Sequence, residues 1–236
     1  MRHLMQQMKE DEQGNASIYL LWFIFVAGIV LVLSVNVINA FGKQEQSSVS
    51  AEQASFAATD VVLQAVADGV DKYDEWKKEE DGDQSSGDED SAEEQKSIAE
   101  QIDKARQQWI AKGRKGAEAT IAAYDEVLNS NIASESRLRE EINRAIRSRE
   151  SEIKDEARRV ISANGGLANK SEITLFKDDR VAVKAYTHYQ ARVYSRYIPG
   201  MEKDVDYTGY GPKLSFIEQL GYGQSTGNID SPPILP

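Results

Sequence analysis

From Ile18 to Phe41 the chain reads IYLLWFIFVAGIVLVLSVNVINAF, 24 consecutive residues without a charged side chain. As a helix rising about 1.5 Å per residue this stretch would span roughly 36 Å, more than the hydrocarbon core of about 30 Å. Sixteen of its positions are Leu, Ile, Val or Phe. Each favours insertion by about 0.3 to 0.6 kcal/mol at mid-membrane, which outweighs Ser34, Asn36 and Asn39 near one end. The pattern predicts a transmembrane helix over 18–41. A cleaved secretory signal has a shorter apolar stretch, about 7 to 15 residues, and a small-x-small site that Ile38-Asn39-Ala40 matches poorly. A retained anchor is therefore the expectation.

Beyond Phe41 the polar and apolar positions keep a helical period. Phe56, Leu63, Val66, Val70 and Tyr73 follow at seven, three, four and three residues, predicting a membrane-proximal helix over 42–78. Its early part is rich in Ala, Ser and Gln, small groups that allow close approach of a neighbouring helix. The alternative is an ordinary amphipathic helix packed on its own domain. Helical patterning resumes over 97–163. Ile98, Ile102, Ala105 and Trp109 form one stripe, and Ala117, Ile121, Tyr124 and Leu128 repeat its four, three, four spacing, with Lys112-Gly113-Arg114-Lys115-Gly116 between them as a bend or a close helix contact. A further helix is expected from about Ser134 to Ala163, with Leu138, Ile142, Ala145, Ile146, Ile153, Val160 and Ile161 inward and ion pairs from Glu140 to Arg144 and Glu150 to Lys154. Asn164-Gly165-Gly166 reads as its stop.

Past that stop the period changes to two. In RVAVKAYTHYQARVYSRY the odd positions from Val181 to Tyr197 are largely apolar and the even ones largely polar, so one strand face is buried and the other wet. Ser171 to Phe176 is a second strand, joined through Lys177-Asp178-Asp179 as a hairpin. Weaker strands are expected near Asp204 to Tyr207 and Lys213 to Ile217, giving a β region over 164–220 and a loose tail over 221–236. The fold class is α+β: a long N-terminal transmembrane helix extended outside the membrane, a helical hairpin or bundle, then a small antiparallel β-sheet.

Charge then narrows the function. The 236 residues carry 28 Lys plus Arg against 39 Asp plus Glu, a net charge of −11, which argues against binding duplex nucleic acid. With no Cys and only His3 and His188, thiolate metal sites, disulfides and His-based clusters are excluded, and no catalytic residue, cofactor or metal site is assigned. An anchored carboxylate hydrolase would need two acids held at a working separation, and none stands in a context that would shift its pKa toward catalysis. Much of the negative charge lies in the Glu79–Glu94 run EEDGDQSSGDEDSAEE, read as part of a flexible acidic linker over 79–96. Asp81, Asp83 and Ser85 have calcium-loop spacing, but Ser86 replaces the turn glycine and Ala92 the bidentate acid. On the wet strand face Arg180, Lys184, Arg192 and Arg196 form a cationic row that an acidic partner would fit. Lysines and arginines that keep a strand soluble give the same row, and His188 within it is a surface side chain.

Orientation follows from bulk more than from the weak basic bias of Arg2 and Lys9 against Lys43. A 17-residue tail precedes the span and a long hydrophilic region follows it, the layout of a signal anchor whose C-terminal part lies outside the cytoplasm. Glu12-Gln13-Gly14 stands just before the span, and Ala51-Glu52-Gln53-Ala54-Ser55-Phe56-Ala57-Ala58-Thr59-Asp60 comes after it. In this layout the first 70 or so residues resemble TadE/TadG-like proteins, minor pilins or pseudopilins of the tight-adherence pilus. The resemblance implies Gly14 as the last leader residue and Asn15 as the first mature one. Tyr19 stands where a TadE-type pilin has Glu, which favours the TadG-like branch or an unprocessed relative. The implied function is non-enzymatic, a single-pass component of pilus assembly whose partners are the lipid bilayer and other pilin-like or envelope proteins. The alternative is a membrane-anchored extracytoplasmic sensor or binding module. Its 17-residue tail is too short for an output domain.

Overall fold

The computed structural model describes the backbone of residues 2–84, 96–191 and 202–229, and the side chains of 16–80, 96–191 and 202–229. The architecture is α+β. Helix α1 runs Arg2–Gln84, followed by α2 Ile98–Ala111, α3 Gly116–Asn131, α4 Ser136–Ser148 and α5 Glu150–Ala163. After a 3-10 turn at Ala168–Lys170 come strands β1 Glu172–Lys177, β2 Arg180–Gln190 and β3 Glu202–Tyr210, then the short helix α6 Ile217–Leu220 and strand β4 Ser225–Asn228. The four strands form one antiparallel sheet in the order β3-β2-β1-β4. The chain divides into two compact units, one of residues 1–45 with 188–205, the other of 46–187 with 206–236.

The larger unit contains the hydrophobic core, and its sheet is seated on residues 46–62 of α1. Ser47, Ser50, Ala51, Ala54, Ser55, Ala58 and Thr59 are all buried there. Small side chains are required because β3 and its continuation come within touching distance of the helix backbone. A Cβ at Gly209 would lie 2.4 Å from the Ala51 carbonyl carbon, and one at Gly211 2.3 Å from Thr59 Oγ1. The buried hydroxyls find partners without adding bulk. Ser50, Ser55 and Thr59 donate to the carbonyls of Gln46, Glu52 and Ser55 in their own helix, and Ser47 donates to the Ala185 carbonyl of β2 at 2.8 Å. This small-residue stripe is thus covered by the chain's own sheet, and Phe56, expected on the apolar face, is instead 55% exposed.

Higher on α1, Val62, Val66, Val70 and Tyr73 pack into a core with Ile102, Leu128, Leu138, Ile142, Ile146, Ile153 and Ile161. Helix α4 crosses α1 at Gly69, where a Cβ would stand 2.7 Å from the Ile142 Cα. The carboxylate of the buried Asp74 accepts from the Ile98 and Ala99 amides, both at 2.9 Å, and Ser97 Oγ accepts from the Glu100 amide at 3.2 Å. Three of the four orphan N–H groups that open α2 are thereby capped. On α3 the buried side chains are Ala119, Ala123, Val127 and Leu128. Ala117, expected inward, lies in the exposed first turn beside Gly116.

The single helix expected over 134–163 is broken at Arg149. Ser148 Oγ turns back to the Ala145 carbonyl at 2.8 Å, and the Arg149 amide is shared between the carbonyls of Ala145 and Ile146, tightening the last turn of α4. Arg149 then pairs with Asp68 at 3.1 Å and Glu152 at 3.6 Å. Lys154 does pair with Glu150, at 3.1 Å. Arg144 takes Glu141 at 2.6 Å in place of the expected Glu140, because Glu141 is buried and gathers both Arg144 and Arg137.

The β1–β2 hairpin closes on Lys177↔Arg180. Asp178 and Asp179 have φ of 52° and 60°, the positive values of a type I′ turn that suits the strand twist. The segment expected as a strand over 213–217 instead turns into α6, which Gly221 ends in the left-handed region. Part of the expected tail is β4, which pairs with β1 from Glu172↔Asn228 to Leu175↔Ser225. Just beyond it, the fully buried Ile229 bonds back to Ser171. Residues 230–236 and the stretch 85–95 of the acidic run lie outside the described residues.

Candidate functional site

In the unit of residues 1–45 and 188–205, the dominant feature is the bare apolar flank of α1. Ile18 through Phe25 are 62–72% exposed, with no described residue covering them. This is the one helix among the described residues long and apolar enough to cross a membrane, and it fits a single-pass membrane protein. The polar side chains toward its end are provided for. Ser34 donates to the Val30 carbonyl at 2.8 Å and Asn39 Nδ2 donates to the Gln190 carbonyl at 2.9 Å, while the Tyr189 hydroxyl donates to the main-chain carbonyl of Asn36 at 3.4 Å. The Ser34 hydroxyl and the Asn39 amide N–H therefore do not enter an apolar phase unpaired. Gly14 and Asn15 lie within the bounds of α1, outside the described side chains.

The predicted cationic row is only partly described, and of its four members β3 pairs Lys184 alone among the described residues. In the larger unit Lys184 Nζ lies 3.3 Å from Asp206 Oδ2 and 5.0 Å from the Tyr186 ring centroid. The Tyr186 hydroxyl and the Asp206 carboxylate hold the ammonium above the usual lysine range. In the smaller unit His188 Nδ1 is 2.9 Å from Asp204 Oδ1, and its Nε2 is 3.9 Å from Glu202. Arg180 is half-buried and has no carboxylate partner among the described residues. Arg192 and Arg196 lie outside them. Sequence spacing revealed the cations, while the β3 acids that face β2, Asp206 beside Lys184 and Asp204 beside His188, became visible only once β3 was placed beside β2.

Two further features bear on chemistry. A polar cavity of about 550 Å³ lies beside Tyr73, Asp74, Lys77, Ser97 and Glu135. Its central acid is already committed to capping α2, and burial holds the Tyr73 hydroxyl above its ordinary range. Burial also pushes the Asp125 carboxyl up, against the opposing pull of the amides of Phe216 and Ser215. Its Oδ1 accepts from the Phe216 amide at 3.2 Å, so it ties α3 to the segment leading into α6. Among the described residues no group of three His, Asp or Glu side chains is placed to hold a metal ion. The described geometry is therefore one of surfaces: an apolar helix flank and charged faces on a folded domain.

No protein-family model, curated protein or solved structure matches the chain.

Proposed function

We propose that the protein is a non-enzymatic, single-span membrane component of the TadE/TadG-like kind, a minor pilin or pilus-assembly accessory subunit that acts through protein–protein contacts. Its hydrophilic domain lies outside the cytoplasm. The observation that supports this reading is the division of labour along α1. Residues 18–41 present uncovered apolar side chains, whereas residues 46–73 are built into the core of a soluble α+β unit. Helical backbone satisfies its own hydrogen bonds, so such a flank is compatible with lipid and equally with the packed helices of a filament. A subunit stored in the membrane and later drawn into an assembly needs this dual compatibility.

Mass spectrometry of the mature N-terminus tests the proposal. A chain starting at Asn15 is the expected product of leader processing after Gly14. A terminus at Met1, together with absence from any pilus fraction, would leave a plain anchor and refute the assembly role. The sensor reading would have to use the polar cavity beside Tyr73. A metal and metabolite panel that leaves the melting temperature unchanged would count against it.

A further inference from the structure

Within the unit of residues 1–45 and 188–205, the end of β2 is fixed at a definite height on α1. The Gln190 carbonyl accepts from Asn39 Nδ2 at 2.9 Å, and the Tyr189 hydroxyl donates to the Asn36 carbonyl at 3.4 Å. Both anchor points on α1 lie inside the uncharged stretch 18–41, and Asn36 is buried there. The other sides of the helix are bare at this height: Val37, Ile38 and Phe41 are exposed, Ile38 by 70% and Phe41 by 67%. Phe41 stands beyond Asn39, by about 3 Å along the helix axis. A layer deep enough to cover Phe41 therefore also reaches the level of the Gln190 carbonyl.

The opposite end of the stretch sets the same height. Tyr19 and Trp22, both exposed, are the amphipathic aromatics that sit at a membrane–water boundary. From Tyr19 to Asn39 the helix rises about 30 Å, and from Trp22 about 26 Å, against a hydrocarbon core about 30 Å thick. With either ring at the near boundary, Asn39 and the Gln190 carbonyl stand at the far edge of the hydrocarbon or a few ångströms inside it, and a tilted helix carries them deeper. His188, two residues back along β2, lies within about 7 Å of Gln190. The headgroup layer outside the hydrocarbon is about 5 to 7 Å deep, so His188 falls within it, together with Asp204 at 2.9 Å and Glu202 at 3.9 Å. The half-buried Tyr189 gives this end of the strand an amphipathic ring of its own, suited to the boundary.

We propose that the end of β2 and the start of β3, around Tyr189, Gln190 and Glu202, form a membrane-contact surface immersed in the lipid headgroup layer beside α1. Water at this level would leave Ile38 and Phe41 wet, whereas lipid that already surrounds residues 18–35 needs only to continue up the same helix to cover them. The side chain of Asn39 meets that layer with its N–H bonded, and the strand end meets it with the Gln190 carbonyl bonded. The inference rests on the single-span reading above. It adds that the folded domain is not held clear of the bilayer on a stalk but touches it through one strand end.

The full chain has no cysteine, so single-cysteine variants carry one nitroxide label each. Ile29→Cys lies in mid-span, Phe41→Cys and Gln190→Cys at the proposed boundary, and Glu118→Cys on the exposed first turn of α3; all four side chains are exposed. Each variant is reconstituted into phosphatidylcholine vesicles, and the label's depth is read from its collision rates with oxygen, which enters lipid, and with a water-soluble nickel chelate. Gln190 is expected below the lipid phosphates and within about 5 Å of the depth read at Phe41, with Ile29 deeper and Glu118 in bulk water. Lipid at Ile29 but water at both Phe41 and Gln190 would end the span lower on α1 and overturn the proposal while leaving the single span standing. Lipid at Ile29 and Phe41 with Gln190 shielded from both probes would put protein against the strand end and overturn it as well. Water at Ile29 would overturn the span and the contact together.

Discussion

Replacing Gly209 by alanine adds a single methyl group where the strand and α1 have no room for it. The new Cβ would stand 2.4 Å from both the Ala51 carbonyl carbon and the Glu52 nitrogen, and 2.6 Å from the Ala51 oxygen. Ordinary contact begins at 3.4 Å, so helix and strand must separate by about 1 Å, and the obstacle is backbone that no rotamer change relieves. Overpacking of this kind costs about 1 to 3 kcal/mol. In a domain of this size each kcal/mol lowers the melting temperature by about 2 to 4 °C, giving a fall of about 2 to 12 °C. The assay is a thermal melt of the full chain in detergent, followed through the fluorescence of Trp76 and Trp109. Gly223→Ala is the control, because nothing lies within 4 Å of its Cβ position and its φ is ordinary. If Gly209→Ala melted within about 1 °C of the parent, the close seating of the sheet on α1 would be wrong, and with it the reason for the small-residue stripe.

Two further outcomes follow from the polar groups. Asp74→Ala removes the acceptor of two amides that open α2 and should destabilise the domain by about 1 to 2 kcal/mol, read as a lower urea midpoint; an unchanged midpoint would mean that water replaces the cap at no cost. Burial raises the Asp125 carboxyl above its ordinary value. Its stabilising contribution is therefore fully present below the ordinary carboxylate range and is lost as pH rises through the raised value. Asp125→Asn keeps an acceptor for the Phe216 amide and removes that titration. Melting temperatures of parent and variant should diverge as pH climbs through the window just above the carboxylate range, in favour of the variant, then run parallel; curves parallel throughout would refute the shift.

Periodicity made much of the fold legible, because burial imposes it. The uncharged stretch 18–41, the inward set Leu138, Ile142, Ile146, Ile153 and Ile161, and the alternation Val181, Val183, Ala185 all lie where their patterns put them. What periodicity could not show was which partner covers a face. The Ala and Ser stripe after residue 46 looked suited to a neighbouring helix, yet it receives β3 through Gly209 and Gly211, a pairing more than 150 residues apart in sequence. Strand β4 was invisible because Ser225, Thr226, Gly227 and Asn228 carry no apolar signal. It is held by the backbone ladder to β1 and by the paired hydroxyls of Thr174 and Thr226, 3.2 Å apart. The cationic row was legible as charge, but the pairing of Lys184 with Asp206 depended on a strand placement that composition does not encode. The cluster 112–116 reads as a bend, and the fold places exposed Gly113 and Gly116 there with positive φ.

The clasp between Asp74 and the first amides of α2 fastens the two sides of the acidic insertion directly to one another. Whatever joins them is then a free parameter of the architecture: lengthening it adds only a slowly growing entropic term, and altering its charge leaves the folded body untouched.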